Sequence, residues 1–359
     1  MSELGFGFDC SSIPELILAR QAGASGDRIM FTSNNTSHDE FVAALSNGGC
    51  ILNLDDISMI NKVPSFPETI CFRYNPGPAR EGNSIIGNPE EAKYGVCDDQ
   101  IVGAYRLAIK RGAKRFGLHT MICSNQLDYK YMVETVKMIM DVAERLFDDL
   151  GINLEFVNIG GGIGIPYRPE QSEFDIKSFV RESEEIFKSY KTELFKIPKL
   201  YIESGRYMTG PYGVLVTKVI NTMDKYRRYV GVDACMSSLM RPALYDAYHH
   251  ITILDADHRL EEEVDVVGSL CENNDKFAKQ RLLPKAKLGD IMIIHDTGAH
   301  GHAMGFNYNG RLRPQELLLR RDGSVILIRR AETVEDYFAT FKFVPQELCF
   351  ELGSNKVKK

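Results

Sequence analysis

The sequence predicts an α/β fold: a (β/α) barrel one strand short of eight over residues 1–207, followed by a mainly antiparallel β domain over residues 208–359. Three observations carry this reading. Short apolar runs alternate with helical patterns through the first two hundred residues, the signature of a parallel sheet with crossover helices. Beyond Arg206 the pattern changes to strand-like segments joined by short turns. A chain of 359 residues also has room for roughly two domains at about 150 residues each.

The strands expected in the barrel are 6–9, 28–31, 50–54, 69–74, 116–119, 154–159 and 199–203, with amphipathic stretches between most of them. The clearest helix follows Asp128, where Met132, Val133, Val136, Ile139, Met140, Ala143, Leu146 and Phe147 recur at the helical period. Its other face is charged, so it is expected on the outside. A closed barrel of this class takes eight strands. The chain opens on the strand at 6–9 with no helix before it, so the gap is expected ahead of Met1. The second domain is expected to hold strands at 212–221, 228–233, 250–254, 264–268, 291–295 and 325–329. Pro211-Tyr-Gly213 reads as a junction or as an ordinary turn.

Hydrophobic residues at 44% and charged residues at 26% exclude disordered and fibrous classes. A net charge of -6 lacks the basic footprint of a nucleic-acid binder. No run of about 18 apolar residues suits a membrane span, and no signal peptide opens the chain, so a cytoplasmic location is expected. The lysines from Lys356 to Lys359 read as a solvated terminus. Eight cysteines form no CxxC pair and no zinc-type spacing, and most are expected as buried reduced thiols.

Five stretches carry chemistry. Glu155-Phe-Val-Asn-Ile-Gly-Gly-Gly-Ile-Gly-Ile-Pro-Tyr167 is an apolar strand ending in Gly160, Gly161 and Gly162. It is either a phosphate cradle of converging N–H groups or a flexible turn; the third glycine of a dinucleotide fingerprint is missing. Glu203-Ser-Gly-Arg206 closes the next strand. Its carboxylate suits a protonated pyridine nitrogen, and its guanidinium suits a phosphate or substrate carboxylate, against the alternative of a surface ion pair. Val267-Gly-Ser-Leu-Cys-Glu-Asn-Asn-Asp275 places Cys271 as a proton donor beside Glu272, which suits a substrate ammonium; a buried thiol beside a solvated carboxylate is the alternative. Arg241, Tyr245 and Tyr248 share a loop-like stretch suited to a carboxylate, unless the tyrosines are core packing. In His295-Asp-Thr-Gly-Ala-His-Gly-His-Ala-Met304 no acid is evident that would orient a metal-bound histidine, so a turn with one functional histidine is preferred to a metal site.

Together these stretches resemble the motif set of the fold-type III pyridoxal-phosphate decarboxylases, which include the diaminopimelate, ornithine and carboxynorspermidine enzymes. Asp9-Cys-Ser-Ser-Ile-Pro-Glu-Leu16, Ala92-Lys-Tyr-Gly95 and Asn307-Tyr-Asn-Gly-Arg-Leu-Arg-Pro314 extend the resemblance over nearly the whole chain. Cys271-Glu272 and the Arg241 to Tyr245 run are most similar to the diaminopimelate branch. The resemblance implies a barrel of alanine racemase type, pyridoxal 5'-phosphate as cofactor, and a homodimer with shared active sites. It implies decarboxylation of meso-diaminopimelate to L-lysine, with ornithine or carboxynorspermidine as alternative substrates. By the same resemblance Ser124, Gly160, Gly161, Gly162, Gly205, Arg206 and His300 contact the cofactor, and Glu203 faces its ring nitrogen. Arg206, Arg241, Tyr245 and Glu272 hold the substrate, and Cys271 acts from the neighbouring subunit.

Three departures stand out. Leu118-His-Thr-Met-Ile-Cys-Ser124 puts Met121 where the family stacks a histidine on the ring, and Cys123 where it has glycine. His300 stands where the family has tyrosine. The family's cofactor-binding lysine belongs to a strand one helix ahead of the segment matching Asp9, before Met1, and Lys62, Lys93 and Lys110 do not repeat its setting. The expectation is a chain that lacks this first strand, with its own activity in question; a catalytically inactive regulatory relative is the competing reading.

Overall fold

The computed structural model describes residues 1–82 and 85–343, which leaves Cys349 and the Lys356 to Lys359 tail outside the described residues. Seven parallel strands pair in sequence order: β1 (Phe8–Cys10), β2 (Gly26–Phe31), β3 (Cys50–Leu54), β4 (Thr69–Arg73), β5 (Arg115–His119), β6 (Phe156–Asn158) and β7 (Lys199–Tyr201). All seven fall where the apolar runs place them. Strands β3 and β4 are buried along their whole lengths, as strands covered on both faces must be. One layer of core inside the curl consists of Met30, Ile51, Cys71 and Phe156, with Tyr201 packed against it.

Helices α1 (Ile13–Gln21), α2 (His38–Leu45), α3 (Ile101–Lys110), α4 (Tyr129–Leu150) and α5 (Ile176–Ser189) lie in the crossovers. Asp128 caps α4 by accepting the Lys130 N–H, and Gly151 ends it in the left-handed region at φ 68°. Its buried stripe of Met132, Val136, Ile139, Met140, Ala143 and Leu146 is the predicted one. Ser37 and Glu40 form a capping box at the start of α2.

Contacts divide the chain into a barrel unit, Met1–Val216 with Tyr245–Thr252 and Ile293–His300, and a second unit holding the remainder. After the short helix α6 (Gly205–Thr209), a six-stranded sheet is built from β8 (Leu215–Asp224), β9 (Arg228–Val232), β10 (Ile251–Ile253), β11 (Glu261–Val267), β12 (Lys276–Pro284) and β13 (Ile291–Ile294). Its order is β10-β13-β8-β9-β11-β12, with β8 and β9 antiparallel, β11 and β12 antiparallel, and β9 and β11 parallel. The one-turn helix α7 (Arg241–Tyr245) replaces the loop expected there, closed by the Leu244 N–H donating to Met240 O at 2.9 Å. A hairpin of β14 (Glu316–Leu319) and β15 (Val325–Arg329) follows.

Strands β12 and β14 were not predicted. The register of β12 slips against β11 around Val264 and Val266, and Gln280 takes φ 45° at the irregularity. That bulge breaks the inside-outside alternation on which strand prediction rests. Strand β14 is only four residues long and reads Glu-Leu-Leu-Leu, with no alternation to find.

Candidate active site

The site assembles where β5, β6 and β7 end, the face at which a barrel presents its chemistry. Past β7 the Glu203 N–H donates to Gly160 O at 2.8 Å, and the chain then turns into α6 with Arg206 in its first turn. Arg206 is buried, and its guanidinium is forked. Nη1 donates to Tyr167 Oη at 2.7 Å and Nη2 to Ser124 Oγ at 3.1 Å. Three strand ends therefore hold one permanently charged group in one orientation.

The glycine run lies between these ends. Gly160 and Gly162 take φ 70° and 99°, a region that glycine enters without strain. A Cβ on Gly160 would lie 2.5 Å from Thr120 O, one on Gly161 2.9 Å from Glu203 O, and one on Gly162 2.7 Å from Cys123 Sγ. The space that side chains would fill is thus taken by backbone at Gly160 and Gly161 and by Cys123 at Gly162, because the loop after β6 wedges between the loop after β5 and the end of β7. The Gly160 N–H donates to Asn158 Oδ1 at 2.8 Å, and the Gly161 N–H to Met121 Sδ at 3.0 Å.

Glu203 Oε1 accepts from Asn158 Nδ2 at 2.7 Å, and Oε2 stands 3.4 Å from His119 Nε2, inside ion-pair range but without hydrogen-bond alignment. Burial pushes the Glu203 carboxyl up, but His119, Asn158 and Arg73 outweigh it and hold the group below the ordinary glutamate range. Asp9 moves the other way. Although solvent reaches its side chain, crowding by protein and the nearby Glu203 charge push it well up, against the Thr32 hydroxyl donating at 3.0 Å. The two carboxyls are thus pushed in opposite directions, Asp9 up and Glu203 down.

Arg73 closes β4 at the same end, buried 3.8 Å over the Tyr94 ring and donating to Met121 O at 3.3 Å. Sequence reasoning passed over Arg73, Asn158 and Tyr167 and assigned His119 no role. The strand-end rule that singled out Glu203 also covers Arg73 and Asn158, whereas Tyr167 has no such signal, since only its partner reveals it.

His300 belongs to the barrel unit, exposed at φ 56°. Its segment docks behind α6, with the Thr297 and Gly298 N–H groups donating to Gly213 O and Gly210 O at 2.8 and 3.0 Å. Gly205 opens α6, and Tyr245 is exposed in the same unit. Buried Arg241, exposed Cys271 and half-buried Glu272 belong to the second unit. There the Cys271-Glu272 turn is tied down by Asp275, whose carboxylate accepts the Leu270 and Met236 N–H groups at 2.8 and 2.7 Å. Every lysine of the barrel unit is exposed.

Residues 1–210 match the family described as "pyridoxal-dependent decarboxylase, pyridoxal binding domain". Protein TabA of Pseudomonas amygdali pv. tabaci is 48% identical over 96% of this chain and 81% of its own length. Diaminopimelate decarboxylase of Methanothermobacter thermautotrophicus is 37% identical over 94% of this chain and 79% of its own. The solved structure of diaminopimelate decarboxylase from M. jannaschii in co-complex with L-lysine superposes with TM-score 0.85 at 30% identity, over 96% of this chain and 80% of that one. Among the described residues no helix is long and apolar enough to cross a membrane. A family match across the barrel, relatives along nearly the full length and a shared fold lead to one conclusion: the chain belongs to the pyridoxal-dependent decarboxylases.

Proposed function

We propose that this protein decarboxylates meso-diaminopimelate to L-lysine and carbon dioxide, with pyridoxal 5'-phosphate held at the ends of β5, β6 and β7. One observation carries the assignment of the site: a buried, forked guanidinium and a carboxylate held ionised stand three residues apart at the end of one strand. Arg206 suits a phosphate, and Glu203 suits a protonated pyridine nitrogen. The residues present fit a phosphopyridine.

When bound, pyridoxal phosphate supplies a ring that takes up the electrons left behind as carbon dioxide departs. The protein's share is orientation and charge. Arg206 and Ser124, with the backbone of Gly160, Gly161, Gly162 and Gly205 and the ring of His300, hold the phosphate end. Glu203, steadied by Asn158 and His119, keeps the ring nitrogen protonated. Arg241, Tyr245 and Glu272 hold the distal amino-acid end of the substrate, and Cys271 of a second copy in a homodimer supplies the proton that replaces the carboxylate. The relatives support the diaminopimelate assignment by name, and L-lysine is the ligand named in a solved relative.

The test is product release from meso-diaminopimelate, ornithine and carboxynorspermidine with added pyridoxal phosphate. L-lysine formed fastest, from meso-diaminopimelate, is the expected result; faster turnover of another diamino acid moves the assignment to that substrate. The exposure of every barrel lysine favours a second reading, a cofactor-binding protein without turnover, and product from none of the three selects it.

A further inference from the structure

Met121 occupies a position that its neighbours make unusual. Its thioether accepts the Gly161 N–H at 3.0 Å, and its sulfur lies 2.9 Å from where a Gly160 Cβ would stand. Its methyl lies 3.5 Å from the corresponding point on Gly161, so the side chain fills the hollow over the first two glycines of the run. The backbone of Met121 is fixed, since Arg73 donates to its carbonyl at 3.3 Å. The side chain is only half-buried. It borders a narrow recess lined by Arg73, Pro89, Tyr94 and Ile122, and its unbranched chain with three rotatable bonds can turn away from the glycines on its open side.

A thioether is a weak acceptor, and a phosphate oxygen is a strong, charge-assisted one. A buried N–H left with no acceptor is costly. Met121 therefore meets two requirements at once: it satisfies the Gly161 N–H in the free protein, and it yields that N–H to a better acceptor. Resting on the assignment of the glycine run to a phosphate, we propose that Met121 is a displaceable plug of the cradle and sets its affinity for the phosphate. Every binding event then exchanges an N–H···S contact for an N–H···O contact, and the measured affinity is lower than that of an open cradle by the stability of the former.

The probe is pyridoxamine 5'-phosphate, which has no aldehyde to react with surface lysines, titrated by its fluorescence into the full chain. Met121→Ala is expected to bind it roughly three- to tenfold more tightly than the wild type, the range that one net hydrogen bond spans. The second readout needs no ligand: the Gly161 amide of the free protein exchanges faster in Met121→Ala than in the wild type. Equal or weaker binding by the variant overturns the plug, as does unchanged exchange at Gly161. Binding by neither protein overturns the phosphate assignment beneath it. Should the alanine variant unfold, Met121→Leu keeps the bulk without the lone pair, and slow Gly161 exchange in that variant sinks the proposal.

Discussion

Glu203 and Arg206 are the residues on which charge and geometry agree most closely. Glu203 has its folded-state pKa below the ordinary glutamate value, so its partners stabilise the fold fully above about pH 4.3, the unfolded value, and less as pH falls through the folded one. Glu203→Gln is therefore expected to lower Tm at pH 5–6, with the gap closing as the pH is taken down toward 3; thermal melts across that range check it, and a gap that widens in acid contradicts it. Arg206→Ala is expected to weaken pyridoxamine 5'-phosphate roughly 10- to 100-fold, from charge-assisted contacts of about 1.5–3 kcal/mol. Fluorescence titration reads the loss. Both residues were legible in the sequence because Glu203 ends an apolar run and Arg206 stands three residues on, in a chain that reads as a barrel. Asn158 ends the run before the glycines, where the same rule reaches it, whereas Tyr167, nine residues further on, acquires meaning only from the side chain that meets it across a strand gap.

Secondary structure was read best where local chemistry and burial point the same way. Helix α4 has its cap, its apolar stripe and its terminating glycine written into consecutive residues. Asp128→Ala is expected to cost about 1 kcal/mol, as loss of an N-cap generally does, measurable by urea unfolding. The loop after β6 is a stricter case. At Gly162 a side chain meets both a left-handed backbone and Cys123, and Gly162→Ala is expected to destabilise by about 1–3 kcal/mol in the same assay. An alanine variant as stable as the wild type would show that the loop relaxes away from Cys123. The glycine triplet was visible in the sequence, but its packing duty was not, because the atoms that need the space come from the loops after β5 and β7. Strand β12 escaped for the opposite reason: its bulge removes the local signal while its pairing with β11 remains.

At the scale of the whole chain, the division between a parallel sheet and a mixed one followed from the change of pattern beyond Arg206. The return of residues 245–252 and 293–300 to the barrel unit did not, since no local pattern encodes which unit a short segment joins. The exposure of every barrel lysine carries its own test. Borohydride reduction in the presence of pyridoxal phosphate, followed by peptide mapping, is expected to scatter label over lysines such as Lys93 and Lys110. A single stoichiometric adduct contradicts this.

Among the described residues each parallel strand is stitched only to its neighbours in sequence, and β1 and β7 are each stitched on one flank alone. Such a sheet unravels from its margins inward, so deuterium enters the amides of 199–201 long before those of 50–54 or 69–73. The strand that delivers Glu203 and Arg206 is therefore the perishable one. A ligand gripping both residues acts as a rivet there, and its arrival is legible as slowed labelling along β7.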